Sequence, residues 1–112
     1  MKFLSLYRPK SGEEGAMPAP EHMAAMGALV EEMTANGSLI ETGPLAPRDA
    51  CAVVSREGGQ FTVSDVGERM GGWAFLNAES KDHAIALAKR FLEVAGDGES
   101  ELRQVMEFGP PK

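Results

Sequence analysis

The run FTVSDVGERMGGWAF, Phe61 to Phe75, carries an acid, then an acid beside a base, and leaves through Gly71-Gly72 into an apolar stretch. Asp65 sits where the apolar alternation ends, and His22 is the imidazole that could work with it. A carboxylate beside an imidazole fixes its tautomer and favours its charged form, which suits general acid/base work near neutral pH. The positive end of a helix at His22 would oppose that effect. The competing reading gives the pair no chemistry: His22 then bonds nearby backbone at a helix start, and Asp65 forms a turn after a strand. Glu68 and Arg69 could orient a polar or anionic ligand, because the guanidinium fork meets a carboxylate bidentately. The alternative for them is a solvated turn.

Other residue types narrow the chemistry. Tyr7 and Trp73 could line an apolar cavity, although aromatic residues on strands are more often core. Met26, with Met23 and Met33, reads as core filler whose softness would also suit an adaptable pocket. Gly71-Gly72 lacks the Lys-Ser/Thr end of a phosphate loop and leads into a strand, so a bend or bulge is expected there. Cys51 reads as a small buried hydrophobe on a strand, with no adjacent base to make it a nucleophile. His83, in the first turn of a helix, is expected on its exposed side. Two separated histidines and one cysteine, with no His-x-His spacing, predict no metal site. No cofactor is expected.

These residues must be held by one domain, spanning 1–112. A chain of this length buries roughly two-thirds of its unfolded surface, enough for a core without staples. The formal charge of −6, with the 11 basic residues scattered, disfavours nucleic acid. One cysteine allows no internal disulfide, and no stretch reads as a leader or a membrane span, so a cytoplasmic protein is expected.

The elements follow from periodicity and punctuation. Phe3–Tyr7 is rich in strand formers and stops at Pro9. Ser11–Pro20 reads as a loop. A helix is expected from Glu21 to Asn36, with Met23, Met26, Leu29, Val30 and Met33 on its buried face and His22 at the N-terminal end of that face. Ser38–Glu41 begins a strand. Ala50–Ser55 and Gln60–Ser64 flank a turn and read as a hairpin. Trp73–Leu76 is another strand. Ser80 caps a second helix with the stripe Ala84, Leu87, Ala88, Phe91 and Leu92, stopped by Gly96. Asp97–Ser100 reads as a loop and Leu102–Phe108 as a last strand.

That order predicts an α+β fold: a ferredoxin-like sandwich, an antiparallel sheet with two helices on one face. Crossover handedness predicts the first and last strands near the sheet centre. Tyr7, Phe61, Val63, Trp73 and Phe75 are too apolar to leave both sides of their strands in water, so a homodimer is expected to cover the open face.

The succession EHMAAMGALVEEMTANGSLIETGPLAP, FTVSD, GGWAF, SKDHAIALAKRFLEV and ELRQVMEF resembles the YCII-related (DGPF-type) family over nearly the whole chain. The resemblance implies a ferredoxin-like subunit that pairs into a dimeric α+β barrel. It implies little about activity. Some members use a His–Asp pair, without that acid being assigned to Asp65 here. Asp65 matches the Asp of the family's Asp-Gly-Pro-Phe and Gly71-Gly72-Trp73 its exit, but the Gly-Pro-Phe is missing and the loop is shorter. Three functions remain in view: a cofactor-free small-molecule enzyme using His22 and Asp65, a non-catalytic ligand-binding or regulatory module, and a purely structural dimer.

Overall fold

The computed structural model describes residues 1–10, 19–67 and 70–106. The order is β1 (Lys2–Pro9), α1 (Pro20–Ala35), β2 (Leu39–Pro44), a single 3-10 turn (Arg48–Ala50), β3 (Val53–Glu57), β4 (Gln60–Ser64), β5 (Gly72–Asn77), α2 (Lys81–Ala95) and β6 (Gly98–Val105). Four strands form one antiparallel sheet in the order β2-β5-β1-β6, and β3 and β4 form a separate hairpin. This is the ferredoxin-like α+β arrangement, with the hairpin inserted between β2 and β5.

One expectation about topology is corrected. β1 is central, but the last strand β6 is at the sheet edge, and the inner partner of β1 on its other side is β5. The two helices cross to strands on opposite sides of β1, which pushes the last strand outward. β6 also starts at Gly98, inside the predicted loop, because Pro9 and Arg8 extend β1 and pair with Gly98 and Glu99. Phe108, the predicted end of that strand, lies outside the described residues.

Side-chain alternation assigns the two sheet faces. Phe3, Leu39 and Leu76 point toward the helices and join Leu29, Met33, Ala78, Ala84 and Leu87 in the buried core. Leu4, Leu6, Trp73 and Phe75 point the other way. The molecule is only 19 Å across its thinnest dimension, one helix layer on one sheet. Arg90 of α2 pairs with Glu32 of α1 across the helix layer.

Each helix has its own local logic. α1 starts with Pro at its first position and no side-chain cap, and ends at Asn36-Gly37, where Gly37 takes a positive φ of 83°. Its buried residues are Leu29 and Met33, with Val30 packed beside them. Met23, expected on the buried face, is 49% exposed: the core is centred on the second half of α1, so the first turns overhang it. α2 is capped by Ser80, whose Oγ accepts from the His83 amide at 3.1 Å.

Two single-residue expectations also change. His83 is half-buried, not exposed: its Nδ1 accepts the Glu79 amide at 3.0 Å, so the ring folds back on the cap. Cys51 is exposed, just past the 3-10 turn, with Sγ 3.6 Å from the Pro47 carbonyl. It precedes a hairpin that no layer covers, so strand-like sequence did not mean burial.

Candidate functional site

α1 ends beside the start of β2, where Leu39 pairs with Leu76 and Leu76 with Phe3. Its 16 residues span about 24 Å at the ordinary helical rise. The helix therefore begins at the opposite end of the sheet, where β1 finishes and β5 starts. His22, in the first turn, is half-buried there, and Met26, one turn on, is half-buried too.

At that same end the double glycine does specific work. The Gly71 amide donates to the Tyr7 carbonyl at 2.7 Å, and the Gly71 carbonyl accepts from Leu45 at 3.3 Å. A Cβ on Gly71 would lie 2.9 Å from the Tyr7 ring, and one on Gly72 would lie 3.0 Å from the Gly43 carbonyl. The expected bend is thus a close approach of three strands, and only glycine fits it. The result is a sheet end where the Tyr7 ring and the Gly43 carbonyl take the space that side chains at these two positions would fill.

Tyr7 faces the helices. Its ring meets Phe91 of α2 edge-on at 5.2 Å, and its hydroxyl lies 3.5 Å from the Asp97 carbonyl. Ser100 stands opposite Tyr7 on β6, and its buried Oγ has no hydrogen-bond partner among the described residues. Trp73 is opposite Leu6, not Tyr7, and so lies on the open face, edge-on to Phe75 at 5.7 Å. Tyr7 and Trp73 therefore cannot line one cavity inside a single subunit.

Asp65 is exposed just beyond β4, and no hydrogen bond or ion pair joins it to His22. The segment it opens is tethered from outside: Arg48 Nη1 donates to the Gly67 carbonyl at 3.2 Å. Glu68 and Arg69 lie outside the described residues. What the topology does bring to one end of the sheet is His22 and Met26 from α1, Tyr7 from β1, and the exit of the Asp65 segment at Gly71-Gly72. Among the described residues no group of three or more His, Cys, Asp or Glu is arranged to hold a metal ion.

Sequence reasoning missed the charged cluster on the open face. Arg8 and Arg103 both bond Glu101, each at 2.7 Å, and Arg8 also reaches Glu99 at 4.0 Å. The hydrogen bonds from Arg103 and then Arg8 hold the Glu101 carboxyl down at about 2. The Arg103 guanidinium is correspondingly held charged more firmly by Glu101. These residues are more than ninety positions apart for Arg8, and only strand register joins them.

No protein-family model matches the chain, and no curated protein matches it. Among solved structures, the chain is similar to 5-chloro-2-hydroxyhydroquinone dehydrochlorinase (TftG) from Burkholderia phenoliruptrix, in complex with 2,5-dihydroxybenzoquinone. That likeness has a TM-score of 0.57 and 17% sequence identity, and covers 96% of each chain. At this identity it shows the fold, which agrees with the ferredoxin-like topology over the full length. No helix is long and apolar enough to cross a membrane among the described residues.

Proposed function

We propose that this chain is a cofactor-free small-molecule enzyme of the YCII-related type, working as a cytoplasmic homodimer. Its site is the sheet end where α1 begins, and His22 is its acid/base. The observation that carries the reading is the half-buried His22 at the start of α1, toward the sheet end where Gly71 and Gly72 let β5 close on the Tyr7 ring and the Gly43 carbonyl. A ring held there can take a proton from a bound hydroxyl or activated C–H at its free nitrogen and return it to another atom of the same substrate. Tyr7 and Met26 supply the apolar wall. Asp65 is assigned the carboxylate role, and Glu68 and Arg69 the ligand's polar end. Trp73 serves the dimer, on the open face.

The fold it shares with a dehydrochlorinase supports a small cyclic, hydroxylated substrate as the first class to try, by analogy of fold alone. The separation of Asp65 from His22 favours the second reading, a ligand-binding module with no turnover.

Proton NMR titration of His22 and His83, in the wild type and in Asp65→Asn, tests the site, with and without 2,5-dihydroxybenzoquinone. The enzyme reading expects the quinone to shift His22 and not His83, and Asp65→Asn to change the His22 midpoint in the complex. Ligand shifts that ignore Asp65→Asn would leave the binding module. A His22 that responds to neither would overturn the site.

A further inference from the structure

We propose that the β3–β4 hairpin is an exchange arm, whose apolar face covers the open sheet face of a second copy of this chain. The inference rests on the homodimer of the preceding section and specifies how its subunits hold each other.

Register sorts the hairpin into two unlike faces. Val54 pairs with Val63 and Arg56 with Phe61, so these four side chains share one side. Val53, Ser55, Glu57, Gln60, Thr62 and Ser64 share the other. The first side is apolar around a single cation, and it is open to water: Phe61 is 71% exposed, Val63 70% and Val54 66%. Every residue of both strands is exposed. The turn is a tight Gly58-Gly59 pair with φ of 56° and 83°, which fixes this register. An isolated two-stranded hairpin is marginal in water, so a persistent amphipathic one needs a surface to lie on.

Its own subunit does not provide that surface. The radius of gyration is 16.2 Å, against about 13 Å for a compact chain of this length, as a projecting arm requires. The open sheet face has the complementary character. Leu4, Leu6, Trp73 and Phe75 form its apolar centre, with Glu41 toward one edge and Glu99 and Glu101 on the other. Arg8 and Arg103 already hold Glu101, Arg8 also reaches Glu99, and Lys2 lies over the Phe75 ring on the same face, so Glu41 is the carboxylate that would meet Arg56, the one charge on the arm's apolar side. Two copies that each carry −6 repel unless such a contact offsets the charge.

The size also fits a second copy. The four side chains on the arm's apolar side and about thirteen on the open sheet face come to roughly 17 per subunit, close to the lower end of stable dimers. Reciprocal exchange about a two-fold axis uses both patches on both chains and leaves neither exposed.

Light scattering at micromolar concentration tests the arm, together with emission from Trp73, the only tryptophan. The wild type should be a dimer. Phe61→Ser/Val63→Thr should weaken it by at least about 30-fold, the effect of one interface hot spot, and shift Trp73 emission to the red as the open face meets water. Arg56→Glu, which alters no apolar volume, should act in the same direction, and serves if the double variant loses its far-UV circular dichroism. Thr62→Ala, on the polar side, should change neither readout. A wild-type dimer that survives both variants with Trp73 emission unmoved would overturn the arm and leave the dimer. A monomeric wild type would overturn both.

Discussion

The Trp73 indole lies against Gly43, its cross-strand neighbour, so closely that a Cβ on Gly43 would sit 3.0 Å from the ring nitrogen. β2 is thin at this point, and the indole occupies the volume a side chain would take. Gly43→Ala should push the ring off its seat on the open face. The expected cost is about 1–3 kcal/mol, the ordinary range for overpacking, seen as a fall in Tm of several degrees. Because Trp73 is the only tryptophan, its emission should change with it. An unchanged spectrum with an unchanged Tm would mean the indole is not held by Gly43.

The cluster of Arg8, Glu101 and Arg103 predicts a specific acid response. The Glu101 carboxyl is lowered from 4.5 to about 2 by its two arginines. A group whose folded value is depressed contributes stability that is present above its unfolded value and lost as pH falls through the folded one. The contribution from Glu101 is therefore complete above about pH 4.5 and gone near pH 2. Glu101→Gln should flatten that part of the stability–pH curve and leave its slope above pH 5 as in the wild type. An identical acid limb in the variant would show that the cluster carries no stability.

The core could be read from spacing, because the period of 3.6 in α2 and the alternation in β1 are imposed by burial on one side. Ala84, Leu87 and Ala88 are buried as that spacing predicts, and so is Phe3. The site was legible only in pieces. His22 and Met26 follow from one helix face, and Gly71-Gly72 from their composition. Whether Tyr7 and Trp73 share a side depends on the offset between β1 and β5, and a one-residue change reverses it. Nothing local in either strand encodes that offset. The same holds for Arg8 and Glu101, which only pairing brings together, and for Cys51, whose exposure follows from where the hairpin points.

Ser80 should be the more important of the two residues at the α2 start. Its Oγ satisfies the His83 amide, and the His83 ring in turn accepts the Glu79 amide. Ser80→Ala removes one bond and frees the ring's support, at about 1 kcal/mol for the cap. His83→Ala leaves the cap itself in place and should cost less. Thermal unfolding of the two variants ranks them, and the reverse order would refute the cap as drawn.

Two glycines near the candidate site should respond in opposite directions to the same substitution. A Cβ on Gly98 would lie 2.5 Å from the Arg8 carbonyl and 2.9 Å from the Tyr7 ring. Gly98→Ala must therefore part β6 from β1 at the end where Tyr7 stands. A loss of about 2 kcal/mol or more is expected, with a changed near-UV signal from Tyr7, the only tyrosine. Gly27, by contrast, is an exposed residue within α1, and a Cβ there meets nothing within 4 Å. Gly27→Ala removes the helix penalty of glycine and should stabilise by about 0.5–1 kcal/mol. Firming the first half of α1 also firms the turn that carries His22. If His22 needs that turn to move when ligand enters, Gly27→Ala should raise Tm and weaken quinone binding together. If Tm rises and binding is unchanged, the turn is already set for its ligand.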